Sequence, residues 1–287
     1  MEYDKDILRK LQLTQLGILK DIDVFCKKHD IEYFIAYGTA IGAVRHDGFI
    51  PWDDDIDICM VRKDYNRFIE LAKMESEMNI KYDILNILDT PGYISPFIKV
   101  SKKGTLFTEA TNTNKRYKQG IFVDILPFDY VPDDKVLRAK MFRKAWIWSR
   151  VAILCEIGDP ILPVEIKGVK RAVTGFGCKA VHIILKVIRF NKKKAFNRYL
   201  KIATKYNSEP GLTLMAEFDD LVPERTVLAE KDIFPTKDIM FEGSMFPGPA
   251  NMHLHLSNYY GDYMELPPLE MRHNHMAKEL VFGDEGC

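Results

Sequence analysis

Apolar positions recur near the helical period over residues 8–29. Leu8, Leu11, Ile18, Ile22 and Phe25 share one face, so the chain is expected to open with an amphipathic helix. Tyr33-Phe34-Ile35-Ala36 is a continuous apolar run ended by Gly38, which suits a buried strand. A helix-length spacer follows. Asp55-Ile56-Asp57-Ile58 then alternates with period two, which predicts a strand with both carboxylates on one face and both isoleucines on the other. Residues 65–78 read as a helix capped by Asp64, and 81–88 and 93–100 as strands around a turn at Thr90-Pro91-Gly92. Residues 121–126 read as a further strand. From 133 to 206 the pattern is mostly helical, with Asp133-Asp134 placed to cap the first helix and Gly175-Phe176-Gly177 placed to interrupt the run. A hairpin turn is expected over 241–246, and a short helix over 251–260 with Gly261 as its stop. The resulting class is α/β, an α+β mixed sheet with helices packed on it. Its parts are a core over 1–132, a helical, basic insertion over 133–210, and a segment over 211–287 that packs back on the core.

Composition changes this picture little. With 287 residues and 47% hydrophobic content, an ordinary globular core is affordable. No apolar run reaches the ~18 residues of a membrane span. The charged start, Met-Glu-Tyr-Asp-Lys-Asp, lacks the pattern of a signal peptide. Cys26, Cys59, Cys155, Cys178 and Cys287 are widely spaced and form no Cys-x-x-Cys pair. Reduced thiols and a cytoplasmic location are therefore expected.

Charge changes more. The net charge is zero, yet residues 161–205 hold twelve Lys and Arg against Glu165 alone, which leaves that stretch at +11 and the rest at −11. Such asymmetry points to an anionic partner surface. On one continuous helix, Lys186, Arg189 and Lys193 would share a face, with Ile184, Val187, Ile188 and Tyr199 on another. An apolar stripe beside basic residues describes a helix lying in a membrane interface, so peripheral membrane contact through 161–205 is one expectation. A core helix with a solvated basic edge is the other. No nucleic-acid partner is expected.

The candidate chemistry lies in residues 37–60. Neighbouring carboxylates at Asp55 and Asp57 repel, and each raises the other's pKa unless a cation compensates. Hard oxygen ligands at this spacing suit Mg²⁺, which takes one or two carboxylates together with substrate phosphates. Gly38-Thr39 would let the backbone approach a phosphate closely, and the helix N-terminus after it favours an anion. A calcium-loop reading fails, because Ile58 stands where that loop needs Gly and Asp64 where it needs Glu. The plainer alternative is an acidic turn solvated at a strand end. Asp124, between Val123 and Ile125, needs a partner in so apolar a strand, either a metal or a cap at the strand end.

Residues 38–46, Gly-Thr-Ala-Ile-Gly-Ala-Val-Arg-His, and 48–57, Gly-Phe-Ile-Pro-Trp-Asp-Asp-Asp-Ile-Asp, resemble the signature of the LicD family, a branch of the nucleotidyltransferase superfamily related to the fukutin-type proteins. The segments 96–100, 120–127 and 260–264 with Pro267-Pro268 resemble further motifs of that family, while roughly 135–235 carries none. The resemblance implies a nucleotidyltransferase-like core. It also implies an Mg²⁺-dependent transfer of phosphocholine from CDP-choline, or another CDP-linked donor, to a sugar hydroxyl of a glycan acceptor, with CMP released. The acceptor would be a cell-surface glycan or teichoic acid precursor, lipid-linked and met at the inner face of the membrane. Asp55, Asp57 and Asp124 would be catalytic, and with Asp53 would hold the metal. Gly38, Thr39, Arg45, His46, Trp52 and Lys99 would bind substrate. A choline head group needs aromatic faces, for which Trp52, Tyr37, Tyr93, Trp146 and Trp148 are candidates. Arg272, His273 and His275 are weak metal candidates, and a solvated tail or an acceptor contact suits them better. Two rivals stand beside this reading: nucleotidyl transfer to a small molecule or protein, and a non-catalytic membrane-surface or glycan-binding protein.

Overall fold

A computed structural model describes residues 3–109, 117–160, 162, 166–272, 274 and 276–283. In chain order the elements are α1 (Lys5–Lys28), β1 (Phe34–Ile35), α2 (Tyr37–His46), β2 (Asp57–Val61), α3 (Arg62–Met74), α4 (Ser76–Lys81), β3 (Tyr82–Leu85), β4 (Ile98–Lys102), β5 (Leu106–Glu109) and β6 (Phe122–Val131). Then come α5 (Lys135–Glu156), α6 (Gly168–Val187), α7 (Lys192–Ala203), β7 (Leu214–Ala216), β8 (Leu228–Ala229), α8 (Glu230–Ile233), β9 (Lys237–Phe241), β10 (Ser244–Gly248), α9 (Met252–Tyr260) and β11 (Ala277–Val281).

The main sheet runs β1-β2-β6-β4-β3, with β7 pairing to the far end of β6 and β8 to β7. The β2–β6 pairing is parallel and the others antiparallel, so the sheet is mixed. The apolar stripe of α1, including Leu11, Ile18, Ile22 and Phe25, packs in one core with Ile58, Val100, Val123 and Ile125 from the sheet. Asp4 caps α1 by accepting the Asp6 N–H at 3.0 Å, which satisfies an otherwise orphaned donor. A second core joins α5 and α7 through Met141, Phe142, Ala145, Phe196 and Tyr199. The buried pair Arg62–Asp129 connects α3 to β6, with Nε to Oδ1 at 2.9 Å and Nη2 to Oδ2 at 2.6 Å. The Asn207 amide donates to the same Asp129 Oδ1 at 2.6 Å.

Several boundaries differ from the sequence expectation. The expected helix over 65–78 starts at Arg62, because Val61 runs straight from strand to helix, and it breaks at Glu75 before α4. Asp64 lies in the first turn and is not the cap. β3 ends at Leu85 because the Asn86 side chain accepts the Leu88 and Asp89 N–H groups at 3.0 and 2.9 Å, closing a turn. β6 continues through Pro127, which falls between the stretch paired to β4 (122–125) and that paired to β7 (129–131). Gly175 and Gly177 sit inside α6 without breaking it. The breaks come instead at Ile157 and near Arg189, whose φ is +53°. Asp134 does cap α5, accepting the Leu137 N–H at 2.8 Å. Glu242-Gly243 forms the hairpin turn with φ of +51° and +71°, and Gly261 ends α9 at φ +72°. The four described cysteines are free, Cys26 and Cys59 buried and the other two half-buried. Among the described residues no helix is long and apolar enough to cross a membrane.

Candidate active site

β2 and β6 place two carboxylates side by side. Their parallel register sets Asp57 opposite Asp124, and the Asp124 N–H donates to the Ile56 carbonyl at 2.9 Å. Asp57 opens β2, while Asp55 lies just before the strand, so the expected strand starts two residues late. Thr39, in the first turn of α2, accepts the Asp57 N–H at 2.9 Å and ties that helix to the strand. Gly38 has a comparable purpose. A Cβ there would lie 2.8 Å from Asp53 Oδ2, so the missing side chain makes room for the Asp53 carboxylate at the start of α2. Asp53 is also held through its carbonyl, which accepts from Gln12 at 2.9 Å, and the Asp54 carbonyl accepts from the buried Gln15 at 2.8 Å.

Across the other edge of β6, antiparallel register sets Lys99 opposite Asp124. Its ammonium donates to both Asp124 oxygens, at 2.8 and 2.9 Å, and lies 3.7 Å from Glu109 on β5. It also sits 3.5 Å from the centroid of the Phe122 ring, a cation–π contact. Asp55, Lys99, Glu109 and Asp124 line one cavity of about 780 Å³, whose walls include Phe97 and Phe107. Desolvation, then the charges of Asp55, Asp124 and Asp53, hold the Asp57 carboxyl well above the usual carboxylate range. Burial likewise lifts Asp124 to about 6, against the opposing pull of Lys99 and with a further push from Asp55. The site therefore concentrates negative charge that one ammonium only partly offsets.

Other expected residues have different surroundings. Arg45 donates to the Tyr263 carbonyl at 2.9 Å and to His46 Nε2 at 3.1 Å, so this pair anchors the C-terminal segment to the end of α2. Trp52 carries the Arg272 guanidinium 4.8 Å from its ring centroid. Tyr93 is buried in the core, and Arg198 covers the ring of Trp148 at 4.5 Å. Trp146 is half-exposed on α5. His273 and His275 lie outside the described residues.

Sequence reasoning missed a second group of acids whose charge reaches Asp124. Glu217 is buried, and desolvation followed by the Asp219 charge holds its carboxyl well above the usual range. Asp219 is lifted to about 7, first by burial. Tyr259 donates to Asp220, and its ring lies 5.0 Å from Tyr37 and 4.6 Å from Tyr260. Desolvation, then the charges of Tyr259, Asp57, Asp53 and Asp55, raise the Tyr260 phenol. The run Glu217-Phe218-Asp219-Asp220 was the available signal, but it lies about 90 residues beyond Asp124 with no motif around it.

Among the described residues, no three His, Cys, Asp or Glu side chains are gathered as a metal-holding group. The donor chemistry nevertheless suits Mg²⁺, which needs only one or two carboxylates when substrate phosphates complete its shell. Asp55 and Asp57 would be that pair; burial and then the Asp55 charge raise Asp57, and a cation would relieve both.

Known proteins resemble this chain in the same regions. A family model described as the LicD/FKTN/FKRP nucleotidyltransferase domain matches residues 30–170, which span α2 to α5 and so include Asp55, Asp57, Lys99 and Asp124. A lipopolysaccharide cholinephosphotransferase LicD of Haemophilus influenzae is 32% identical over 278 residues, covering 95% of this chain and 97% of that protein. Uncharacterised proteins of Rickettsia typhi and Rickettsia prowazekii match shorter stretches. They are 40% identical over 75 residues (26% of this chain, 24% of that protein) and 44% over 55 residues (19% and 21%). A match that runs nearly end to end through both chains, with the family model laid over the carboxylate strands, makes this chain a member of the LicD family.

Proposed function

We propose that the chain is a phosphotransferase that moves phosphocholine from CDP-choline to a sugar hydroxyl of a cell-surface glycan precursor and releases CMP. The observation that carries this reading is the near end-to-end likeness to a lipopolysaccharide cholinephosphotransferase. Asp124, which faces Asp57 across the β2–β6 pairing and lines a cavity of about 780 Å³ with Asp55, supports it. The core over 1–132 is read as nucleotidyltransferase-like, with the helical insertion and the C-terminal segment added to it. The acceptor is read as lipid-linked, met at the cytoplasmic face of the membrane.

Asp55 and Asp57 would hold Mg²⁺ together with the donor's phosphates, and Asp53 would support them from the start of α2. The bound ion would offset charge developing on the phosphoryl oxygens. The acceptor oxygen forms a bond to the choline-bearing phosphorus, and the bond from that phosphorus to the CMP oxygen breaks. CMP leaves with the bonding electrons. The hydroxyl proton passes to Asp124, whose carboxyl, lifted to about 6, is a competent base near neutral pH. Lys99 keeps that carboxylate oriented through its two hydrogen bonds. No covalent bond to the protein is needed.

A ligand panel tests the reading. With Mg²⁺ present, CDP-choline should raise the melting temperature more than CDP-ribitol, CDP-glycerol, CTP or ATP, since a ligand that binds only the native state stabilises it. Stabilisation by CTP or ATP with none by CDP-choline would favour nucleotidyl transfer instead.

A further inference from the structure

α6 is a twenty-residue helix with one buried side chain, Leu185. One edge of it is held to the protein. His182 Nδ1 lies 2.6 Å from the Leu154 carbonyl, and Leu185 is the residue that enters the interior. The opposite side is apolar, and among the described residues nothing covers it. Val169, Val173, Phe176, Ala180, Ile183 or Ile184, and Val187 recur at alternating spacings of four and three, which lines them along a single face. The large members are between 57% and 80% exposed: Val169 80%, Val173 65%, Phe176 77%, Ile183 59%, Ile184 57% and Val187 76%. Soluble monomers seldom leave so continuous an apolar strip to water, and such a strip marks a surface that something covers.

Charge says what covers it. At helical spacing Lys170 borders one side of the strip, and Lys179 and Lys186 border the other. All three are exposed, and Lys179 also pairs at 3.2 Å with Asp159, an exposed carboxylate from which it can swing to a phosphate. Residues 161–205 carry twelve cations and one carboxylate, while the rest of the chain carries −11. A second copy pressed strip to strip would set these lysines against their own counterparts, which like-charge repulsion opposes. An anionic lipid surface meets both halves of the pattern at once, because acyl chains take the apolar strip and phosphates take the flanking ammonium groups.

We propose that α6 is the element by which this protein lies on an anionic phospholipid surface, with its apolar face sunk into the headgroup boundary. The contact is narrower than residues 161–205. The chain breaks after Val187, so Lys193 and Tyr199 belong to the separate helix α7. Tyr199 is core, and Lys192 is buried with its ammonium on the Thr90 and Tyr93 carbonyls at 2.6 and 3.0 Å.

Co-sedimentation of the full chain with vesicles of phosphatidylcholine, alone or mixed with phosphatidylglycerol, decides it. The chain should pellet with the mixed vesicles at low salt, bind the neutral ones at least about tenfold more weakly, and be released as salt is raised. Phe176→Asp with Val187→Asp should weaken binding at least about tenfold, and so should Lys170→Glu, Lys179→Glu and Lys186→Glu together, each set without loss of melting temperature. Absence of binding to mixed vesicles at low salt overturns the proposal, as does unchanged binding by either set of variants. A dimer that Phe176→Asp dissociates, seen without vesicle binding, overturns it in favour of a second copy.

Discussion

Asp57 has three acidic neighbours and Lys99 as its opposing charge, and most of the site's chemistry follows from that imbalance. Asp57→Asn and Asp55→Asn should each abolish turnover while leaving the melting temperature unchanged or slightly higher, since each removes a ligand charge and a repulsion together. Near-wild-type turnover with Mg²⁺ in either variant would remove the metal assignment. Lys99 differs in kind. Its removal leaves Asp124, 7% exposed, without its ammonium, and breaking a buried pair from one side costs about 3–5 kcal/mol. Lys99→Met should therefore destabilise by about that much, and adding Asp124→Asn should recover most of it, as read by denaturant unfolding. His255 gives a pH signature away from the carboxylates. Its Nε2 accepts the Tyr37 N–H at 3.5 Å, the rings of Phe34 and Tyr37 pack around it, and burial lowers its pKa to about 4. The unfolded chain then binds the extra proton between about pH 6.5 and 4, so this residue's contribution is present above that window and lost as pH falls through it. The stability difference between wild type and His255→Gln should shrink by up to about 3 kcal/mol from pH 6.5 to 4. A difference that stays flat would place a charged imidazole in the fold.

At the scale of elements, local pattern was legible wherever a local cause decides the outcome. The stripe on α1, the cap at Asp134, the Glu242-Gly243 turn and the stop at Gly261 all act within a few residues of themselves. Asp55, Asp57 and Asp124 could be read as one set from their motifs. Their pairing with Lys99 could not, because it follows from the register of β4 on β6, which no local pattern encodes. The short strand β5 was hidden for the same reason, since its partner β11 lies some 170 residues away. Pro127 misled in the opposite direction, because a missing N–H ends a strand only where a partner needs it. The sequence pattern places a break at Gly175-Phe176-Gly177, yet α6 runs through, and nothing lies within 4 Å of where a Cβ on Gly175 or Gly177 would stand. Gly175→Ala and Gly177→Ala should each stabilise α6 by up to ~1 kcal/mol, seen as slower amide exchange along the helix. Faster exchange in either variant would mean that the helix does not run through these positions.

Across the whole molecule, the carboxylates at the start of β2 and β6 and the basic residues of 161–205 lie on different elements, and the two proposed tasks would divide the same way. Asp124 of β6 and Asp55, just before β2, line a cavity with residues of β4, β5 and the segment before β11, where a nucleotide donor would lie. α6 holds its apolar face clear of the protein, where a surface would lie. Glu242, in the β9–β10 turn, joins distant parts of the chain by pairing with Arg9 of α1 at 2.6 Å and accepting the Phe49 N–H at 3.2 Å. The central claim is the bond that breaks in the donor. The direct measurement is to incubate the enzyme with CDP-choline, Mg²⁺ and a lipopolysaccharide preparation, and to separate the products. The account predicts CMP in solution, phosphocholine on the glycan in matching amount, and neither with Asp57→Asn. Free phosphocholine in solution with cytidylate left on the acceptor would contradict it.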